Sequence, residues 1–413
     1  MKFLVWGLGK SGRSAVRLLR EKGYSVVSGD DARGDRWEEF INEVDVLVLS
    51  PGVPPHHPLW REALRRDIEV IGEVELAWRF YKGEVVAITG TDGKSTTTRL
   101  TYLMLSSHLT DVIEAGNVGV PFSEVVLKKD TGTAVLEVSS FQGKTLRSFR
   151  PSSGAFLNFH PDHLDWHEDM EDYLGSKHNI FLKQEESDLF IEGSEQEEVL
   201  RTPTRAQRVS LGEVSLKGES VVFRGERLFE LGDLRLRGKH NLTNAIVASV
   251  IAYQKGVPPE KIREVLRNFR GLPFRMEFVG RWRGVEIYND SKSTTPNALR
   301  AALESFPDRS VILIAGGKNK GADFEPVRET AIRKVKTAIL IGETKDILRT
   351  AFGGVSELKT SRSLEEALDQ ALSIAQPGDF ILFSPGCSSF DMFSSYVERG
   401  EAFNRLVKER CKL

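Results

Sequence analysis

An apolar, β-branched run, Val85-Val86-Ala87-Ile88-Thr89, turns through Gly90-Thr91-Asp92-Gly93 into Lys94-Ser95-Thr96. That order reads as a strand feeding a phosphate-cradling loop at a helix N-terminus. Glycines let backbone N–H groups close round phosphate oxygens, Lys94 supplies a point charge, and the Ser95 hydroxyl can ligate magnesium. The loop is short, because Ile88 stands where the standard form has its first glycine. It predicts ATP as a ligand.

Further residues end apolar runs in the same way. Glu137 closes Ala134-Val135-Leu136-Glu137-Val138, which aims a carboxylate at the edge where a magnesium-nucleotide would sit; one or two such acids suffice for magnesium. Three of the eight histidines fall in Asn158-Phe159-His160-Pro161-Asp162-His163-Leu164-Asp165-Trp166-His167, again after an apolar run. No second cysteine or histidine set accompanies them, which disfavours zinc and leaves one histidine able to complete a magnesium or manganese sphere. Lys177 and Asn241, on composition alone, read as a solvated helix lysine and a polar helix-start residue. Three polar turns follow the later strands: Asp290-Ser291-Lys292-Ser293-Thr294, Gly316-Gly317-Lys318-Asn319-Lys320-Gly321, and Ser384-Pro385-Gly386-Cys387-Ser388-Ser389. Their lysines and hydroxyls on one sheet edge favour an anionic ligand such as a carboxylate.

The elements that must position these residues divide into three pieces, 1–83, 84–271 and 272–413. The first opens with the strand Lys2 to Trp6, the Gly7-Leu8-Gly9-Lys10-Ser11-Gly12 turn and a helical pattern, then a strand ending at Asp30-Asp31 and another, Val44 to Leu49, ending at Ser50-Pro51-Gly52. Alone, that piece reads as a nicotinamide-binding unit. The second is a largely parallel sheet covered by helices, with short antiparallel strands expected at its edge between about 201 and 236. The third repeats the strand-helix logic, with strands at Val285 to Asn289, Ser310 to Ala315, Thr337 to Ile341 and Phe380 to Ser384 and a helix at Ser363 to Ala375. The fold class is α/β in three domains: Rossmann-like, phosphate-loop ATPase-type with a mostly parallel sheet, and Rossmann-like again.

Composition excludes several classes. The 413 residues carry 28% charged side chains yet a net charge of only −2, so no basic field points to a nucleic acid polymer. Cys387 and Cys411 make no disulfide framework or metal cluster, which fits a reducing cytoplasm. The opening residues are too short an apolar stretch for a signal peptide, and no run of about 18 apolar residues predicts a membrane span. An oxidoreductase reading leaves 90–98 without a role, and a nucleotide switch leaves the third piece's turns without one.

Taken in order, Gly90–Thr97, Glu137–Gln142, Asp162–Asp165, Gly238-Lys239-His240-Asn241, Phe274-Arg275-Met276-Glu277, Asp290–Thr294 and Gly317–Phe324 resemble the ATP-dependent Mur ligases of peptidoglycan synthesis over nearly the whole chain. The Ser-Ser-Phe-Gln and Lys-Gly-Ala-Asp-Phe turns and the N-terminal glycine turn favour, within that family, addition of D-glutamate to UDP-N-acetylmuramoyl-L-alanine. The resemblance implies that Gly90, Thr91, Asp92, Gly93, Lys94, Ser95 and Thr96 hold ATP, with Asn241, Arg275 and Asp290 contacting it from elsewhere. It implies two magnesium ions, with Ser95, Glu137, His163 and a carbamylated Lys177 as ligands or supports, and Lys94, His163 and Lys177 as the catalytic set. Gly9, Lys10, Ser11, Asp31, Arg33 and Ser50 would bind the UDP-sugar, with Asn117 and Ser139 further along it. Lys292, Thr294, Lys320, Ser389 and Tyr396 would hold D-glutamate. A monomer is expected.

Overall fold

The computed structural model describes residues 1–164, 166–318 and 321–412. They gather into two compact units, one of Met1–Leu234 with Thr243–Asn268, the other of Arg235–Leu242 with Phe269–Leu413.

The first unit contains two parallel sheets. β1 (Lys2–Trp6), β2 (Ser25–Gly29), β3 (Val46–Leu49) and β4 (Glu69–Gly72) lie in the order β2-β1-β3-β4. β5 (Glu84–Thr89), β6 (Val112–Gly116), β7 (Thr133–Glu137), β8 (Ser153–Phe156), β9 (Leu189–Glu192) and β10 (Gln207–Ser210) follow in the order β10-β9-β8-β5-β7-β6. Every residue of β3 and β8 is buried, as expected of strands covered on both faces. β5 is central, paired with β7 on one side and β8 on the other, so the loops after these three strands open at one sheet edge.

The joint expected near 83 is a change of sheet inside one compact unit. Both sheets feed one apolar core that includes Val5, Val48, Leu76, Phe122 and Leu136. Between them the helix Glu73–Trp78 buries two carboxylates. Glu75 accepts the backbone N–H groups of Arg147, Ser148 and Phe149, and Glu73 accepts both N–H and hydroxyl of Ser123. Buried acids are stable only when so paired, which makes this helix a strut.

The antiparallel expectation for 201–236 holds in part. β10 pairs parallel with β9 and extends the central sheet. β11 (Val214–Lys217), β12 (Ser220–Phe223) and β13 (Glu226–Glu230) form their own antiparallel sheet instead of an edge.

In the second unit β14 (Glu277–Trp282), β15 (Val285–Asn289), β16 (Val311–Gly316), β17 (Val335–Ile341), β18 (Glu357–Thr360) and β19 (Phe380–Phe383) lie in the order β14-β15-β19-β16-β17-β18. All neighbours are parallel except β14 with β15. The helix Leu364–Ile374 is capped by the Ser363 side chain, which accepts from Glu366 N–H. Its apolar face joins Ile312, Ile314 and Ile381 in a core on one side of the sheet.

Candidate active site

The phosphate loop follows β5 directly. Gly93 has φ +82, and a Cβ there would lie 2.3 Å from Asn244 Oδ1, so a glycine is required where the chain enters the helix Lys94–Ser106. The loop is pinned from the β8 side: Asn158 accepts the N–H of Thr91 (3.0 Å) at its carbonyl and that of Asp92 (2.8 Å) at its side chain. Lys94 Nζ curls onto the loop, donating to the carbonyls of Gly90 (2.9 Å) and Thr91 (2.8 Å). Ser95 and Thr96 are buried on the helix's first turn, at the positive end of its dipole.

A second amine reaches the same carbonyl. Lys177, 1% exposed on the helix Met170–His178, donates to Gly90 O at 2.7 Å and lies 4.7 Å from the Tyr173 ring centre. The solvated-lysine reading therefore fails, because the helix turns this residue inward. Burial first and Lys94 next push its pKa well below the usual lysine range, against the pull of Asp162, Asp92 and Glu137.

Glu137, at the end of β7, is 3% exposed. Its Oε1 accepts from Asn117 Nδ2 at 2.9 Å, and its Oε2 is buried with no hydrogen-bond partner among the described residues. An orphaned carboxylate oxygen beside a phosphate loop fits a magnesium ligand. Among the described residues no group of three or more His, Cys, Asp or Glu side chains is placed to hold a metal. His163 has φ +57 and packs edge-on against Phe141 at 4.8 Å, with Nε2 3.3 Å from Asp162.

Sequence reasoning missed what orders this region. His167 is buried with Nδ1 2.9 Å from Asp172 and Nε2 2.9 Å from Ser140 Oγ. Against the cost of burial, Lys144 and His167 hold the Asp172 carboxyl below its usual range, so Nδ1 donates to Asp172 and the Ser140 hydroxyl donates to Nε2. Ser139 caps the short helix Ser140–Gly143 in a reciprocal pair with Gln142. Asp172 lies on the helix of Lys177 and Ser140 follows β7, so the network ties the Glu137 turn, the His163 loop and the Lys177 helix together.

At the end of β1 the glycine turn closes tightly, since a Cβ on Gly12 would lie 1.9 Å from Gly7 O. Ser50 Oγ donates to Gly7 O at 2.5 Å. Of the acids after β2, Asp30 serves the turn, accepting Leu8 N–H (2.5 Å), and that bond lowers its pKa. Asp31 accepts from Trp6 Nε1 (3.0 Å) and lies 3.3 Å from His57 Nε2. Gly9, at the N-cap of the helix Lys10–Glu21, faces open space, and Lys10 and Arg33 are exposed with Ser11 half-buried.

The second unit carries the remaining predicted residues. Asn241 Nδ2 donates to Arg237 O at 2.7 Å. Arg275 stands between Phe274 (φ +62) and Met276 (φ +46), two non-glycine residues in the left-handed region, where backbone strain gathers at functional segments. Asp290 follows β15 and is buried, accepting from Ser384 Oγ (2.8 Å) and Met276 N–H (3.1 Å); burial raises its pKa to about 7. Lys292 Nζ sits 5.0 Å from the Tyr396 ring centre and 3.5 Å from its hydroxyl. Ser389 is buried after β19 and Thr294 is exposed. Lys320 lies outside the described residues.

The Mur ligase middle domain matches residues 88–252 and the Mur ligase glutamate ligase domain matches 274–387. The chain is 56% identical to the UDP-N-acetylmuramoylalanine–D-glutamate ligase of Aquifex aeolicus, over 99% of each sequence. Among solved structures, the UDP-N-acetylmuramate–alanine ligase of Thermotoga maritima superposes with a TM-score of 0.62 at 18% identity, covering 99% of this chain and 100% of that one. A Mycobacterium tuberculosis folylpolyglutamate synthase, complexed with ADP and AMPPCP, gives 0.60 at 15% identity, covering 81% and 92%. The chain belongs to the Mur ligase family. Within that family the full-length likeness is to ligases named for D-glutamate.

Proposed function

We propose that this protein joins D-glutamate to UDP-N-acetylmuramoyl-L-alanine with hydrolysis of ATP to ADP and phosphate, as a monomer in the cytoplasm. The observation that carries this reading is the 56% identity, over 99% of both chains, to a ligase of that name. The phosphate loop with two lysine amines on one carbonyl supports its ATP half. No helix among the described residues is long and apolar enough to cross a membrane.

The alanyl carboxylate attacks the γ-phosphorus and ADP leaves. The amine of D-glutamate then attacks the acyl phosphate, forming the amide and releasing phosphate. Negative charge spreads over the transferring phosphoryl group, so the protein's work is positioning and electrostatics. Lys94 and the amides of 90–96 hold the phosphates, and Ser95, Glu137 and His163 are the residues to hold magnesium, which supplies Lewis-acid charge when bound. Lys177, as a carbamate, adds an anion to support a second ion. Gly9, Lys10, Ser11, Asp31, Arg33 and Ser50 bind the UDP-sugar, and Asn117 and Ser139 border its reacting end. Asn241, Arg275 and Asp290 contact ATP, and Lys292, Thr294, Lys320, Ser389 and Tyr396 bind D-glutamate.

The test is phosphate release from ATP with the nucleotide sugar present and D-glutamate, L-glutamate, L-alanine or a diamino acid supplied separately. Release requiring both the nucleotide sugar and D-glutamate is expected. Dependence on another amino acid would move the enzyme to a sibling step, and no release with any pair would overturn the ligase reading.

A further inference from the structure

The helix Tyr396–Cys411 places Arg399, Phe403, Val407 and Cys411 on one buried face. Arg399 is fully buried, a costly place for a cation unless its geometry is used. Its Nε donates to Ser291 Oγ (3.1 Å), and its Nη2 donates to the carbonyls of Ser291 (2.7 Å) and Cys387 (3.1 Å). Ser291 Oγ in turn donates to Tyr396 O at 2.8 Å, closing a ring of bonds onto the start of the same helix. The remaining nitrogen, Nη1, has no hydrogen-bond partner among the described residues and faces Gly317, where a Cβ would come within 3.2 Å of it.

One guanidinium thus touches the turns after β15, β16 and β19. Those turns carry Lys292, Lys318 and Ser389, and the ring of bonds sets Tyr396 beside Lys292. Among the described residues no carboxylate pairs directly with Arg399; carbonyl oxygens take its hydrogen bonds, and Asp391 and Asp290 lie near enough to favour the charged form. Burial lowers its pKa to about 10, which leaves it charged at neutral pH.

We infer that Arg399 is the positioning residue of the amino-acid site: its planar fork fixes Lys292, Ser389 and Tyr396 relative to one another before the substrate arrives. This rests on the proposal that those residues hold D-glutamate. A lysine could not replace it, because an ammonium is a point charge without the fork that spans separate turns.

The experiment uses the full-length enzyme with Arg399→Lys, Arg399→Met and Ser291→Ala, measuring KM for D-glutamate, KM for ATP and kcat from phosphate release. Both Arg399 variants should raise the D-glutamate KM about ten- to a hundredfold, the range for lost charge-assisted hydrogen bonds, while the ATP KM stays within about twofold. Ser291→Ala, which removes one hydroxyl and keeps the test alive if the arginine variants fail to fold, should raise it about three- to tenfold. Ser389→Ala is the control. If it raises the D-glutamate KM and the Arg399 and Ser291 variants do not, or if they shift all constants together, the positioning inference fails. If Ser389→Ala also leaves that KM unchanged, the placement of the amino-acid site on this edge fails.

Discussion

Replacing Lys177 by alanine tests the least ordinary part of the site. The amine is buried, bonded to Gly90 O at 2.7 Å, and shares that acceptor with Lys94 at 2.9 Å. Burial disfavours the charged amine, and the Lys94 ammonium on the same carbonyl adds repulsion, so Lys177 holds its proton weakly. Each unit by which a lysine pKa falls raises the neutral fraction at pH 7 about tenfold. Only the neutral amine adds CO₂: a C–N bond forms, one proton leaves, and the product is a carbamate anion. Such a change would invert the group's sign, so repulsion from Lys94 would become attraction, and an anion would stand where it could support a cation near Glu137. If that anion stabilises the transition state as a positioned charge does elsewhere, Lys177→Ala should lower kcat by about a hundred- to a thousandfold, or roughly 3 to 4 kcal/mol. Acetate or formate should restore part of the rate by supplying a carboxylate to the cavity. A ¹³C spectrum of the wild type under labelled bicarbonate should show one carbamate resonance that the variant lacks. Wild-type-like activity in Lys177→Ala, or no labelled carbamate in the wild type, would refute the reasoning.

Gly93→Ala places a Cβ 2.3 Å from Asn244 Oδ1 at φ +82, a conformation that itself costs an L-residue about 1 to 2 kcal/mol, so the ATP KM should rise at least about tenfold. An unchanged ATP KM would show that the loop reshapes at no cost. Asp290 titrates at 3.8 when unfolded and about 7 when folded, so the native state binds the extra proton and stability falls as pH rises between those values, by roughly 4 kcal/mol at about 1.4 per unit. In the ligand-free protein Asp290→Asn should therefore flatten the fall in Tm between pH 5 and 8; an unaltered slope would place the charge elsewhere.

How much of this was legible follows from where each signal is encoded. β5, β7 and β16 announce themselves because strands covered on both faces are continuous apolar runs, and the turns after them must be polar because they open at the strand ends. β6 is harder to see, since Glu114 sits in the middle of a half-buried edge strand paired on one side only. β11 to β13 are only four or five residues each, with β11 mostly exposed and β12 mostly buried, so no regular alternation tells which sheet they join.

The site divides along the same line. Lys94, Glu137 and Asp290 are readable because each follows a strand in the chain itself. Lys177 is not, because its helix has almost no amphipathic contrast to say which face is inward. His167 also escapes, because its partners Ser140 and Asp172 come from other elements. Arg399 did carry a signal: it keeps the four-residue spacing of Phe403, Val407 and Cys411. A charged residue in the apolar stripe of a helix is either a misplaced charge or one with buried partners. The bonds to Ser291 and Cys387 decide for the second, and they join segments more than a hundred residues apart in one case and twelve in the other. Chemistry in this chain is written locally at strand ends, whereas the geometry that aligns it is written in pairs that only the fold brings together.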